Sequence, residues 1–166
     1  SKRLNCVEVS STFYAEISKE TLLDWKTDVS SEFRFLPKWP KVITHDQQLN
    51  SHPDLIKKFT DTILVLEENL GTTFVQLPAS FSKEYSRELH SFLCQVPADL
   101  PLALEFRHSS WFEECRLTQK LEEYLVDRDI GMVCSDTPER RDVFHLSFTG
   151  PRNIVRYLSD QNKEND

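Results

Sequence analysis

The sequence predicts an α/β fold in which parallel strands form part of a (β/α) barrel. Three observations carry this. Strand-like and helix-like segments alternate along the chain, which implies parallel strands joined by right-handed crossovers. The strands alternate apolar and polar residues, whereas a doubly wound sheet covered by helices on both faces shows continuous apolar runs. Ionisable residues also gather at the carboxyl ends of the strands, most plainly in the stretch 102–112. There Leu102, Leu104 and Phe106 alternate with Ala103, Glu105 and Arg107, and the charges run into a His-Ser-Ser-Trp loop.

The elements follow in order. Cys6–Val9 reads as a first strand, and Ser18 can cap a helix from Lys19 to Lys26 that packs Leu22, Leu23 and Trp25. Phe33–Leu36 is the second strand, closed by Pro37 and followed by a long loop through Trp39, Pro40, Thr44 and His45. Asp54–Leu70 is the clearest helix, with Ile56, Phe59, Ile63, Leu66 and Leu70 on one stripe and Gly71 suited to its C′ position. Thr73–Leu77 is a strand stopped by Pro78, and Tyr85–Gln95 is helical. After the 102–107 strand, Glu113–Arg128 reads as a helix, Gly131–Ser135 as a strand and Asn153–Leu158 as the last strand. Val143–Phe148 alternates but sits within a connection, so its state is left open. Six strands are legible in this reading, and an eightfold barrel needs two more. The chain is therefore expected to hold strands two to seven, with no ladder between the strand at Cys6 and the one at Arg156. Residues 1–158 are read as one partial-barrel domain, and residues 159–166 as a frayed acidic tail.

Composition bounds the partners. A chain of 166 residues with 39% hydrophobic content, 11 Phe and 3 Trp can pack a core. The formal charge of −7, without a Lys/Arg stripe, argues against nucleic acid. No apolar run approaches the roughly 20 residues of a membrane span. Cys6, Cys94, Cys115 and Cys134 lie far apart without a C-x-x-C, which favours reduced thiols in a cytoplasmic protein. No signal peptide is visible, and the chain opens on Ser1.

Several longer motifs agree with one another. They are Val7-Glu-Val-Ser-Ser-Thr-Phe-Tyr14, Phe33-Arg-Phe-Leu-Pro-Lys38 with Ile43-Thr-His45, Phe74-Val-Gln-Leu-Pro78 and Glu105-Phe-Arg-His-Ser-Ser-Trp-Phe112. Ser135-Asp-Thr-Pro-Glu-Arg-Arg-Asp142 with His145, then Ile154-Val-Arg156, extend the pattern. Together they resemble the YecE-like family, domain of unknown function seventy-two, over nearly the whole chain. The resemblance implies a TIM-type barrel related in shape to sugar isomerases and certain endonucleases. It assigns no activity. Against the family pattern, the chain lacks an opening Gly-rich strand and a last strand with its Asn-containing loop.

Projected onto a barrel, Leu104, Phe106, Val75, Leu77, Phe33, Phe35, Val7 and Val9 face the helices. Glu8, Arg34, Lys38, Gln76, Glu105, Arg107, Asp136 and Arg156 face inward or reach the rim. For Glu8 and Arg34, deep in their strands, a structural ion pair is the preferred reading. Residues at strand ends are read as functional, because barrel enzymes place their groups there. The candidate catalytic residues are Glu105 as a general base, His108 as an acid/base group and Asp136. Lys38 and Arg107 form a clamp for a phosphate or carboxylate, beside Gln76, with Trp111 and Tyr14 as ring-stacking candidates. For Trp111 and Trp39 the preferred role is closing the barrel end, and for His45 that of a loop hydrogen-bonder. No residue spacing marks a metal site, and the sequence names no cofactor and no oligomeric state. The expected partner is a small anionic or sugar-like ligand, handled by a hydrolase or isomerase. The alternative is a non-catalytic ligand-binding or scaffold protein with a paired interior.

Overall fold

A computed structural model describes residues 4–136 and 144–157. Strand β1 (Cys6–Val9) leads through a short helix α1 (Ser11–Tyr14) and helix α2 (Lys19–Thr27) to β2 (Arg34–Pro37). Ser18 caps α2 as expected, its hydroxyl accepting from the Thr21 N–H at 3.1 Å. A π-helical turn (Val42–Asp46) and helix α3 (Pro53–Ile63) precede β3 (Thr73–Gln76), and α4 (Ser86–Gln95) precedes β4 (Leu102–Glu105). A small antiparallel hairpin, β5 (Phe112–Glu113) and β6 (Arg116–Leu117), leads into α5 (Gln119–Val126), β7 (Gly131–Asp136) and β8 (Ile154–Tyr157).

Parallel ladders join β1 to β2, β3 to β4, β4 to β7 and β7 to β8. Bridges at Phe35–Leu70 and Lys38–Phe74 connect β2 to β3. The six parallel strands thus run in the order β1-β2-β3-β4-β7-β8, a partial TIM-type barrel with its helices outside. No ladder joins β8 to β1 among the described residues.

The register sets two faces. Phe35, Val75, Leu104, Phe106, Met132 and Cys134 belong to the large core between sheet and helices, with Trp39, Phe59 and Phe92 packed against one another. On the concave face Phe74, Ala103, Val133 and Ile154 form a separate small cluster, an apolar floor one pleat below the strand ends. Leu104 and Phe106 therefore point away from the interior, as their phase against Glu105 required.

Four local expectations are corrected. The helix expected over 54–70 ends at Ile63 and continues as a 3-10 segment (Leu64–Asn69) broken at Glu67, where φ is 47°. Gly71 is not in the left-handed region; it is needed because an added Cβ would lie 3.0 Å from both the Phe35 carbonyl oxygen and Leu36 Cδ1. Residues 112–117 form a hairpin rather than the start of a helix, turning on Glu114 and Cys115 at φ 51° and 63°. Within the Val143–Phe148 stretch, residues 144–148 are irregular and inverted: His145 and Ser147 are buried, while Leu146 and Phe148 are exposed. The Arg140-Arg141-Asp142 cluster and the acidic tail lie outside the described residues.

The four cysteines are free thiols. Cys134 is buried, and Cys6, Cys94 and Cys115 are exposed. No described helix is long and apolar enough to cross a membrane.

Candidate functional site

The inward-facing polar residues form one connected layer above the apolar floor. The Lys38 ammonium donates to Gln76 Oε1 at 2.8 Å, and Gln76 Nε2 donates to Glu105 Oε2 at 2.9 Å. Arg156 Nη1 donates to the same Glu105 oxygen at 3.0 Å. Its Nε and Nη2 hold the Glu8 carboxylate at 3.1 and 3.2 Å. Glu8 Oε1 also accepts from the Ser10 hydroxyl at 2.7 Å. Arg107 Nε lies 3.9 Å from Glu105 Oε1. Six of the eight positions expected to line the interior thus join in one network: Lys38, Gln76, Arg107 and Arg156 around Glu105, and Glu8 through Arg156.

The fold explains why. Gln76 and Glu105 are register partners at the ends of β3 and β4, and Ser135 and Arg156 are partners on β7 and β8. Lys38 follows β2 directly and is fixed by its backbone: its N–H donates to the Val9 carbonyl at 3.2 Å, and its carbonyl accepts from the buried Thr12 hydroxyl at 2.6 Å. The ammonium sits 4.0 Å from the centre of the Phe13 ring, a contact that anchors it to α1.

Lys38 is 8% exposed, yet no carboxylate lies within ion-pair distance of it among the described residues. Burial lowers its pKa from the ordinary lysine value, and Arg156 and Arg107 add to the shift while Glu105 and Glu8 oppose it. His45, on the π-helical turn after β2, is shifted the same way, first by burial and then by Lys38 and Arg107. Its Nδ1 lies 2.9 Å from the Thr44 hydroxyl, and its ring meets Phe13 edge-on at 5.0 Å. π-Helical turns recur at functional sites, and this one is followed by Gln48 and Leu49 at φ 46° and 66°. The Ser135 hydroxyl, facing the interior beside Arg156, is buried without a hydrogen-bond partner among the described residues.

The remaining candidates lie elsewhere or do other work. His108 caps the short 3-10 turn Ser109–Trp111, its Nδ1 accepting from the Ser110 N–H at 3.1 Å, so any proton it offers the site is on Nε2. Asp136 falls on the phase of Met132 and Cys134, the helix-facing side of β7, and Ser135 takes the inward place. Trp111 is sealed in the core; its Nε1 donates to the Phe81 carbonyl at 2.7 Å and its ring packs on Phe106. Tyr14 is 79% exposed on the outside of α1. It lines an outer groove of about 400 Å³ with Phe13, Val42 and Phe59, and Phe13 is the ring that separates this groove from Lys38. Arg34 does not pair with Glu8 and instead donates to the Ser31 and Phe33 carbonyls at 2.7 and 3.1 Å. Phe13 was not singled out in the sequence, because an aromatic four residues beyond a strand carries no period that marks it as an interior contact.

Fold and site together define a partial (β/α) barrel with a charged, hydrogen-bonded site at the carboxyl ends of its strands. The chain belongs to the family described as "Protein of unknown function DUF72", whose model matches residues 1–166. It is 31% identical over 136 residues to the UPF0759 protein YecE of Escherichia coli O157:H7 and to that of strain K12, covering 82% of this chain and 50% of each relative. The chain thus spans half the length of the curated relatives it matches. Among solved structures, a DUF72 family protein (EF0366) from Enterococcus faecalis V583 superposes with a TM-score of 0.81 at 23% identity, over 98% of this chain and 69% of that one. A DUF72 family protein (TM1631) from Thermotoga maritima MSB8 gives 0.70 at 26% identity, over 96% and 62%.

Proposed function

We propose that the site at the strand ends binds a small anionic or sugar-like ligand and that the protein acts on it as an enzyme, of hydrolase or isomerase type. The supporting observation is the setting of the Lys38 ammonium: it is buried on the same layer as Arg107 and Arg156, faces the Gln76 amide oxygen and the Phe13 ring, and has no carboxylate within ion-pair distance among the described residues. A ligand phosphate or carboxylate entering there supplies the negative charge that buried Lys38 lacks among the described residues, and Arg107 offers it paired donors. Glu105 orients the cations from 5% exposure, tied to Gln76 and Arg156 at once. The test is titration with sulfate and phosphate by calorimetry, comparing wild type with Arg107→Ala and Lys38→Met after a circular-dichroism check of folding. Binding by wild type that weakens at least tenfold in both variants supports the reading. Absence of binding by wild type, or unchanged affinity in the variants, overturns it.

One observation favours the alternative of a paired, non-catalytic interior: Glu8 is held by two donors of Arg156. That pairing accounts for the β1–β8 side of the network, and it leaves Lys38 and His45 unaccounted for. A wild-type protein that binds neither anion would favour the scaffold.

A further inference from the structure

Lys38 deepens the anion-binding reading, and the inference rests on it. A buried ammonium ordinarily has a carboxylate beside it, because an unpaired buried charge is costly. Here the two interior carboxylates are engaged by Arg156, and the ammonium of Lys38 faces the neutral Gln76 amide oxygen and the Phe13 ring. Its main chain is held on three sides by β1, α1 and β3, so the amine projects from a rigid strand end into the polar layer. Burial disfavours the charged ammonium first, Arg156 and Arg107 on the same layer add to this, and Glu105 and Glu8 oppose it. A lysine desolvated beside other cations is the form in which an amine is an effective nucleophile at neutral pH.

We propose that Lys38 forms an imine with the carbonyl group of an anionic carbonyl compound, a 2-oxo acid or an open-chain ketose phosphate, whose anion is held by Arg107. The Nζ lone pair attacks the carbonyl carbon, and the carbonyl oxygen takes a proton to become a hydroxyl. The carbinolamine then loses that oxygen as water while Nζ gives up its remaining protons to solvent, leaving C=N. Hydrolysis reverses the sequence, and no oxidant or reductant takes part. Gln76 Oε1 orients the amine, and Glu105 holds Gln76 in place from the far side.

The experiment is borohydride trapping. The protein is incubated at neutral pH with pyruvate or with dihydroxyacetone phosphate, reduced with sodium borohydride, and read by intact mass and peptide mapping. The expected result is a single adduct on the Lys38 peptide, at least tenfold above that on exposed Lys57 or Lys58 of the same sample, and competed by sulfate. Arg107→Ala should slow labelling at least tenfold, and Lys38→Arg, which keeps the charge, should abolish it. Peptide mapping of wild type decides the matter even if a variant fails to fold. A protein that binds sulfate yet yields no Lys38 adduct overturns the imine and leaves the anion site standing. A Lys38 adduct without sulfate binding or competition supports the imine and refutes the anion anchor. Labelling spread evenly over exposed lysines overturns the imine as well.

Discussion

Arg156 on β8 grips Glu8 on β1 with two hydrogen bonds of 3.1 and 3.2 Å, joining two strands that no backbone ladder joins among the described residues. The same guanidinium reaches Glu105 at 3.0 Å, so one side chain ties β1, β4 and β8 across the interior. Arg156→Met should leave Glu105, almost fully buried, without its strongest donor, and should destabilise the protein by about 3 kcal/mol. Glu8→Gln should cost less, on the order of 1 kcal/mol, because Glu8 is partly open to water. Urea denaturation of the two single variants and the double variant measures the coupling. Additive losses would mean that the pair holds nothing together.

Gly131 begins β7 where the chain approaches the segment before β8. A Cβ added there would fall 1.7 Å from the Arg152 carbonyl oxygen, a backbone atom that cannot step aside without moving the strand. Gly131→Ala is therefore expected to lose β7–β8 pairing and more than about 2 kcal/mol of stability. Hydrogen exchange of the amides on β7 and β8 reads the effect, and unchanged protection would refute the packing described.

The polar layer was legible in the sequence for a simple reason. A period of two assigns faces without ambiguity, so Gln76, Glu105, Lys38 and Arg156 could be put inside by counting from Val75, Leu104 and Phe35. What was illegible depended on tertiary contacts or on turn residues without a signature. The hairpin turns on Glu114 and Cys115, and neither is the Asn or Gly that usually announces left-handed backbone. The segment after residue 143 alternates in the usual way but buries its polar positions, because Ser147 and Thr149 bond to backbone groups of Leu117 and Ile130. Trp111 offered two readings, a ring-stacking platform beside a charged strand end and, preferred, a plug at the barrel end. Its indole is consumed by Phe81 and Phe106, partners that no local pattern reveals.

His145 makes stability depend on pH. It is 3% exposed, its ring packs against Phe112, and its Nδ1 accepts from the Ser147 N–H at 3.2 Å. Burial pushes its pKa down from 6.5 to about 4. Between those values the unfolded chain binds a proton that the folded chain refuses, so stability falls as the pH drops from about 6.5 to about 4. The loss attributable to this residue is on the order of 3 kcal/mol. Denaturation of wild type and His145→Gln across that window checks it: the difference between the two should shrink as the pH falls. A pH-independent difference would remove His145 as the cause.

Helix α5 ends in a Schellman motif, with the Ile130 N–H bonded to the Leu125 carbonyl at 3.0 Å and the Asp129 N–H to that of Val126 at 3.1 Å. Asp129 occupies the left-handed position, with φ at 56°. Asp129→Gly should relieve that strain and stabilise the protein by about 1 kcal/mol. A thermal melt settles the sign, and a lowered midpoint would contradict this description of the helix end.

The central claim is that the barrel mouth attracts an anion between Arg107, Lys38 and His45. Crystals of the protein soaked in selenate, with data collected at the selenium edge, test it most directly. The account predicts an anomalous peak within hydrogen-bond reach of the Arg107 guanidinium and on the same side of the sheet as Lys38, lost in crystals of Arg107→Ala. Selenate found elsewhere on the surface, with no peak at the strand ends, would contradict it.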